Sequence, residues 1–121
     1  MKMTTLGALG EVSRLTLGGG GIGQIWGETN DDEAMATVMA AIDGGITVLD
    51  AAPIYGSCEA LIGKTFGGKL PTGVKVTTKY YLATPPAQEV EARLTASLEA
   101  SLAAMGLERV DLFFLHSNLH A

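Results

Sequence analysis

The sequence is poor in cysteine, in basic residues and in long apolar segments. Cys58 is its single cysteine, which excludes an internal disulfide and a cysteine-rich zinc site and fits a reducing compartment. Its 8 lysine and arginine residues stand singly and are outnumbered by 13 acidic residues. Because a nucleic-acid-binding protein requires a basic patch, this composition excludes that class of partner.

No apolar segment approaches the roughly 20 residues that a membrane-spanning helix requires. The first residues also lack the apolar core of a signal peptide. We therefore expect a cytoplasmic protein without membrane attachment. A length of 121 residues corresponds to one domain, and we expect residues 1–121 to form it.

Four short segments rich in apolar and β-branched residues predict strands. They are residues 14–18, 46–50, 74–79 and 110–116. The second and the fourth are almost entirely apolar, which is typical of strands buried on both faces. Residues 4–13, which precede the first strand, predict a small hairpin or a loose lead-in.

Three segments between these strands carry apolar residues at helical spacing. The first helix begins after the N-cap candidate Asn30, the second after Ser57, and the third after Thr84 with Pro85 as its first residue. Their apolar faces are Met35, Val38, Met39 and Ile42 in the first helix, Leu61, Thr65 and Phe66 in the second, and Val90, Leu94, Leu98, Leu102 and Met105 in the third. Most of the 16 glycines cluster between periodic segments, at residues 18–23, 44–45 and 67–68, which predicts turns there.

Strands and helices therefore alternate, which predicts an α/β fold with a parallel sheet and right-handed crossovers. Periodicity leaves two architectures open, a doubly wound open sheet and a part of a (β/α)₈ barrel. Asp50, Lys79 and His116 each end one of three consecutive predicted strands. Because barrels draw their catalytic groups from such strand ends, we predict a partial (β/α)₈ barrel with about four parallel strands and three intervening helices.

The three strand-end residues and Tyr55, in the loop after Asp50, can serve proton transfer to a carbonyl group. A tyrosine phenol is a weak acid at pH 7, but a nearby ammonium stabilises the phenolate and makes the phenol a better proton donor. Lys79 can supply that ammonium, and Asp50 can keep it charged and oriented. Tyr55 would protonate the carbonyl oxygen and His116 would donate a hydrogen bond to it, an arrangement worth roughly 10²–10⁴-fold in rate.

The pattern of these residues resembles the aldo-keto reductase family. Residues 50–56 (DAAPIYG), followed by Glu59, resemble the family signature after the second barrel strand. Residues 78–79 resemble the end of its third strand, and residues 115–116 the end of its fourth. Ala51 stands where many members carry threonine. The resemblance extends over essentially the whole chain.

The resemblance implies a catalytic tetrad for reducing aldehydes or ketones to alcohols, with hydride from NADPH. In that tetrad Asp50 orients the Lys79 ammonium, and Lys79 makes Tyr55 a stronger acid. Tyr55 is the general acid, and His116 polarises the carbonyl group. The implied substrate is a small carbonyl compound.

The resemblance also implies residues around the tetrad. Gly19 and Gly20, after the first strand, would approach the nicotinamide together with Asp50. Trp26 would line the substrate pocket beside Tyr55 and His116. No metal ion is expected in the site.

A complete barrel needs about 250 residues, so we expect the 121 residues to form the N-terminal half of one. The resemblance places most of the NADPH-binding residues, including those that distinguish NADPH from NADH, beyond residue 121. A half-barrel also exposes two open sheet edges. The alternative hypothesis is a catalytically incomplete half-barrel that self-associates or requires a complementary chain.

Another enzyme class is a lyase that uses Lys79 as a Schiff-base amine, although it leaves Tyr55 and Asp50 unexplained. A metal site at His116 and His120 lacks an acidic or thiol partner. We therefore favour neither.

Two nucleotide-binding motifs match the sequence only in part. Residues 18–23 fit G-x-G-x-x-G, but the next helix begins too late, and Asp50 follows later than the expected distance of about 20 residues. Residues 63–65 (GKT) resemble the end of a P-loop, but Cys58 stands where that motif requires glycine.

Overall fold

The strands of this chain form two sheets in a computed structural model that describes residues 1–118. In chain order the strands are β1 (Met3–Thr5), β2 (Glu11–Ser13), β3 (Leu17–Gly18), β4 (Val48–Asp50), β5 (Lys75–Tyr80) and β6 (Leu112–Leu115). β1 and β2 form an antiparallel hairpin, while β3 to β6 form a parallel sheet in that order. The predicted parallel sheet is confirmed.

Within the described residues, four α-helices accompany the strands: α1 (Gly19–Ile22), α2 (Asp31–Asp43), α3 (Cys58–Phe66) and α4 (Val90–Met105). The last three are the helices that the apolar spacing predicts. α1 is a single helical turn inside the glycine cluster for which we predicted turns. Within residues 1–118, no helix combines the length and the apolar character that crossing a membrane requires.

The hairpin is attached to the start of β4 by a reciprocal pair of hydrogen bonds. The Ser13 amide donates to Thr47 Oγ1 at 2.8 Å, and the Thr47 amide donates to Ser13 Oγ at 2.9 Å. The first predicted strand was too long because its beginning belongs to this hairpin. The Arg14 amide donates to the Lys2 carbonyl, so β3 keeps only two residues.

The register of the parallel strands determines which side chains share a face of the sheet. Asp50 is paired with Thr77, and Lys79 with Phe114. Because side chains alternate along a strand, these four residues lie on one face. The other face packs against the helices in a core that includes Val38, Leu49, Ile62, Val76 and Met105.

The start of α2 agrees with the prediction. Asn30 Oδ1 accepts a hydrogen bond from the Glu33 amide at 2.9 Å, and acidic residues fill the first helical turn. Met39, however, was wrongly placed on the buried face, since it is 41% exposed. The buried arc is narrow and centres on Ala34 and Val38, which are one turn apart.

The starts of α3 and α4 differ from the predictions. Ser57 precedes α3 with φ −87° and ψ 5°, outside the extended conformation of a capping residue, and its side chain caps no amide. Pro85 is not the first residue of a helix, because the residue before a proline is disfavoured in the helical region. Pro86 is extended, with ψ 141°, and a 3₁₀ turn at Ala87–Glu89 precedes α4.

The prediction of a fully buried fourth strand was also wrong. Phe114 is 45% exposed and Leu115 is 37% exposed. β6 is paired only with β5 and forms an edge of the parallel sheet.

Candidate active site

The polar residues of the candidate site lie at the carboxyl ends of three neighbouring parallel strands. Asp50 is the last residue of β4, Lys79 precedes the last residue of β5, and His116 directly follows β6. The His116 amide donates to the Tyr80 carbonyl at 2.8 Å, which continues the ladder beyond β6. Parallel strands therefore bring these residues to one edge of the sheet.

Lys79 forms a largely buried ion pair at this edge. Its Nζ lies 2.5 Å from Asp50 Oδ1 and 2.9 Å from the Ala51 carbonyl oxygen. The lysine is only 7% exposed. Asp50 and the Ala51 carbonyl thus supply the pairing and hydrogen bonding that a buried ammonium requires.

Tyr55 lies between Lys79 and His116. The centroid of its ring is 5.0 Å from Lys79 Nζ, within cation–π range. The same centroid is 5.7 Å from that of the His116 ring, and the two planes meet edge to face at 88°. The structure thus brings together the four side chains that the sequence singled out, while their catalytic roles stay a prediction.

The loop that carries Tyr55 is held by close contacts between glycine backbones. A Cβ atom added to Gly23 would overlap the Tyr55 carbonyl, and one added to Gly56 would overlap the Gly23 carbonyl. Gly56 also has φ +57°, a conformation that favours glycine. Gly19 lies against the Asp50 carbonyl and the Cys58 thiol. The contacts between Gly23, Tyr55 and Gly56 are between backbone atoms, so they hold the loop at a distance that a larger residue at either glycine would not allow.

Cys58, at the start of α3, is fully buried beneath this loop. Its burial, with a smaller contribution from the charge of Glu59, raises the pKa of the thiol to about 12. The group is therefore a neutral thiol at pH 7. It serves packing and has none of the thiolate character of a nucleophile.

Thr77 and Thr78 hold two different carboxylates on opposite faces of β5. Thr77 Oγ1 donates to Asp50 Oδ1 at 2.7 Å, and Thr78 Oγ1 donates to Glu59 Oε1 at 2.6 Å. Thr77 was not among the predicted site residues. The feature of the sequence that could have identified Thr77 is its two-residue spacing from Lys79, which places both side chains on the same face of a strand.

Gly20 and Trp26 are placed apart from His116. The Trp26 side chain is 78% exposed, and a Cβ at Gly20 would lie 2.9 Å from its ring. Trp26 lines a cavity of about 220 Å³ beside α1 and α2, whereas His116 lines another of about 450 Å³; the two share no residue. A common substrate pocket for these two residues stays a prediction.

The cavity beside His116 is formed by residues that sequence reasoning missed. They are Tyr81, Ala83, Thr84, Ser117 and Asn118. Ala83 has φ +53°, an unusual conformation for a residue other than glycine, so the segment after β5 turns sharply next to His116. His120, the second histidine of the metal alternative, lies outside the described residues.

The polar side chains at this edge include both hydrogen-bond donors and acceptors. Tyr55 offers a phenol, and His116 Nδ1 is buried and has no hydrogen-bond partner within residues 1–118. The Asp50 side chain remains 30% exposed beside the ion pair and can accept a further hydrogen bond. Such a set can bind and protonate a carbonyl oxygen.

A sequence profile of the Aldo/keto reductase family matches residues 14–121. The chain belongs to this family. Aldo-keto reductase YhdN from Bacillus subtilis is 34% identical to it over 126 aligned residues, which cover 96% of the chain and 38% of the relative. The predicted family resemblance is therefore confirmed.

Solved aldo-keto reductase structures share the fold. The thermostable aldo-keto reductase Tm1743, solved with the inhibitor epalrestat, matches with a TM-score of 0.78 and 29% identity, covering 98% of this chain and 44% of that one. The Bombyx mori aldo-keto reductase, solved with NADP, matches with a TM-score of 0.70, covering 94% of this chain and 37% of that one; at 24% identity it supports the fold alone. The chain spans less than half the length of these relatives, and the predicted partial barrel is confirmed.

Proposed function

We propose that this aldo-keto reductase chain carries the proton-transfer site of an NADPH-dependent reductase that converts aldehydes or ketones to alcohols. The observation that carries the proposal is the position of the Tyr55 ring between the Lys79 ammonium and the His116 ring. An acid in that place serves a reaction that develops negative charge on a carbonyl oxygen.

Each member of the tetrad has a task that its contacts support. Tyr55 donates its phenolic proton to the carbonyl oxygen, and the phenolate that remains is stabilised by the Lys79 ammonium. Asp50 holds the ammonium in place through Oδ1. His116 orients the oxygen by a hydrogen bond, and solvent returns the proton to Tyr55 after the alcohol leaves.

NADPH, when bound, supplies the hydride that reduces the carbonyl carbon. Of the predicted cofactor residues, Asp50 presents a partly exposed carboxylate to this edge, while Gly19 and Gly20 are buried. We assign the carbonyl substrate to the cavity beside His116, which Tyr81 and Thr84 also line.

A cofactor titration tests the proposal. NADPH fluorescence is followed as the purified chain is added, for the wild type and for Tyr55→Phe, which removes only the phenolic oxygen, and for Asp50→Ala. We expect saturable binding in the wild type and in Tyr55→Phe, and weaker binding in Asp50→Ala. Carbonyl reduction, measured as loss of NADPH absorbance, is expected for the wild type only.

Two results would count against the proposal. Reduction at equal rates by the wild type and by Tyr55→Phe would remove the role of Tyr55 as the acid. Absence of binding up to millimolar NADPH would assign the 121-residue chain to the second candidate, in which the half-barrel is incomplete by itself.

That second candidate is supported by the apolar surface at the β6 edge. Leu115 is exposed there, and a cavity of about 300 Å³ is lined by apolar residues of β6 and α4 and by Leu82, which lies between β5 and α4. Two copies, each offering its β3 edge to the β6 edge of the other, would close both sheets with parallel pairing. We expect a dimer by light scattering, with Leu115→Lys shifting it to monomer; a monomeric wild type would contradict this.

A further inference from the structure

Asp50 accepts two hydrogen bonds on the same carboxylate oxygen. Oδ1 lies 2.7 Å from Thr77 Oγ1 and also accepts from Lys79 Nζ. A carboxylate oxygen has two lone pairs, so it can accept both bonds at once. Thr77 therefore contacts the group that holds the lysine without itself being bonded to the lysine.

Thr77 and its acceptor Asp50 differ in how firmly the fold holds their side chains. Thr77 lies within β5, directly paired with Asp50 in the parallel register, and is 4% exposed. Its β-branched side chain has few accessible rotamers. Asp50, by contrast, ends its strand and has a side chain that is 30% exposed to water. The hydroxyl is thus the fixed partner, and the carboxylate is the group that it can orient.

We infer that Thr77 is a positioning residue of this site, which fixes the Asp50 carboxylate with Oδ1 toward the Lys79 ammonium. Without the hydroxyl, the carboxylate can rotate toward solvent, and the ammonium loses its charged partner for part of the time. The consequence for proton transfer by Tyr55 rests on the proposed function. The arrangement of Thr77, Asp50 and Lys79 does not.

The chain offers a matched control in the next residue. Thr78 is the same residue type and is fully buried. Its Oγ1 donates to a carboxylate oxygen of Glu59 at 2.6 Å, close to the 2.7 Å between Thr77 Oγ1 and Asp50 Oδ1. It lies on the opposite face of β5, away from Asp50. Thr77→Val and Thr78→Val each replace a buried hydroxyl by a methyl group, but only the first removes a bond to Asp50.

The test is pulse labelling of lysines with acetic anhydride on the folded chain, with the modification of Lys79 measured by mass spectrometry relative to the exposed Lys69. It requires neither cofactor nor activity, so it remains readable if the proposed function fails. We expect Thr77→Val to raise the labelling ratio of Lys79 by about 10-fold or more, the equivalent of one hydrogen bond to a charged group at the lower end of its range. Thr77→Ser, which restores the hydroxyl, should return it close to wild type.

Three outcomes would overturn the inference. They are an unchanged ratio in Thr77→Val, a ratio in Thr78→Val that rises as much as in Thr77→Val, and a failure of Thr77→Ser to restore the wild-type value. The second outcome would mean that loss of any buried hydroxyl loosens β5 and that Thr77 has a structural role only.

Discussion

The ion pair between Asp50 and Lys79 can be tested by neutralising each partner in turn. Lys79→Met leaves the Asp50 carboxylate without the ammonium, but that carboxylate keeps its bond from Thr77 and some access to water. Asp50→Asn leaves an ammonium whose side chain is only 9% exposed, with the Ala51 carbonyl as its strongest remaining partner. The second change therefore strands the more deeply buried charge.

The burial of the two groups determines the expected magnitudes. Removing one partner of a fully buried pair destabilises a protein by about 3–5 kcal/mol. We expect about 3 kcal/mol for Asp50→Asn and about 2 kcal/mol for Lys79→Met, because water reaches the charge that the latter leaves behind. The double variant strands no charge, so it should be less destabilised than the sum of the two by about 2 kcal/mol.

Urea unfolding followed by far-ultraviolet circular dichroism measures all three variants against the wild type. Circular dichroism is preferred to tryptophan fluorescence because Trp26 is already largely exposed in the folded chain. Additive effects of the two changes would refute the reasoning, since the residues would then not interact. A larger loss of stability in Lys79→Met than in Asp50→Asn would refute the argument from burial.

Two further predictions concern the loop and the thiol beneath it. Gly23→Ala should lower the free energy of unfolding by about 3 kcal/mol, because the new methyl group overlaps the Tyr55 carbonyl. The control is Gly18→Ala, whose new methyl group meets no atom within 4 Å. Equal losses of stability in the two variants, measured by urea unfolding, would contradict this prediction. The pKa of Cys58 rises from 9.0 to about 12 on folding, so the folded chain keeps a proton that the unfolded chain releases above pH 9. The contribution of the thiol to stability is complete below pH 9 and should fall by about 1.4 kcal/mol per pH unit toward pH 12. Urea unfolding at a series of pH values should show this additional slope in the wild type and not in Cys58→Ser. Equal slopes in the two proteins would exclude Cys58 as its cause.

The parallel sheet and the meeting of the four polar residues could be predicted because both depend on local patterns. A short β-branched segment that ends in Asp50 specifies a buried strand and the place of its last side chain. Asn30, followed by acidic residues, specifies a helix start by hydrogen bonds within four residues. Parallel strands then bring their ends together whatever the details of the helices between them.

The remaining features depend on contacts between distant segments, which local patterns do not carry. Ser57 has the side chain of a capping residue, but the Tyr55 carbonyl accepts from the Cys58 amide and the loop holds Ser57 out of the extended conformation. Met39 lies at helical spacing from Met35 and Ile42, yet the packing of α2 covers only a narrow arc. The role of Thr77 emerges only from the register that places it beside Asp50.

The direct contact between the Gly23 and Gly56 backbones bears on which parts of the candidate site can change by mutation. At that point the turn after α1 and the loop of Tyr55 meet through backbone atoms. A larger residue at either glycine would overlap the other segment, so the position of Tyr55 cannot shift by substitution there. Amino-acid substitution without loss of the fold is open instead to the segment from Tyr81 to Thr84. Three of its four residues line the cavity beside His116. Substitutions tolerated by the fold should therefore be found on the His116 side of the site, while the backbone position of Tyr55 stays the same.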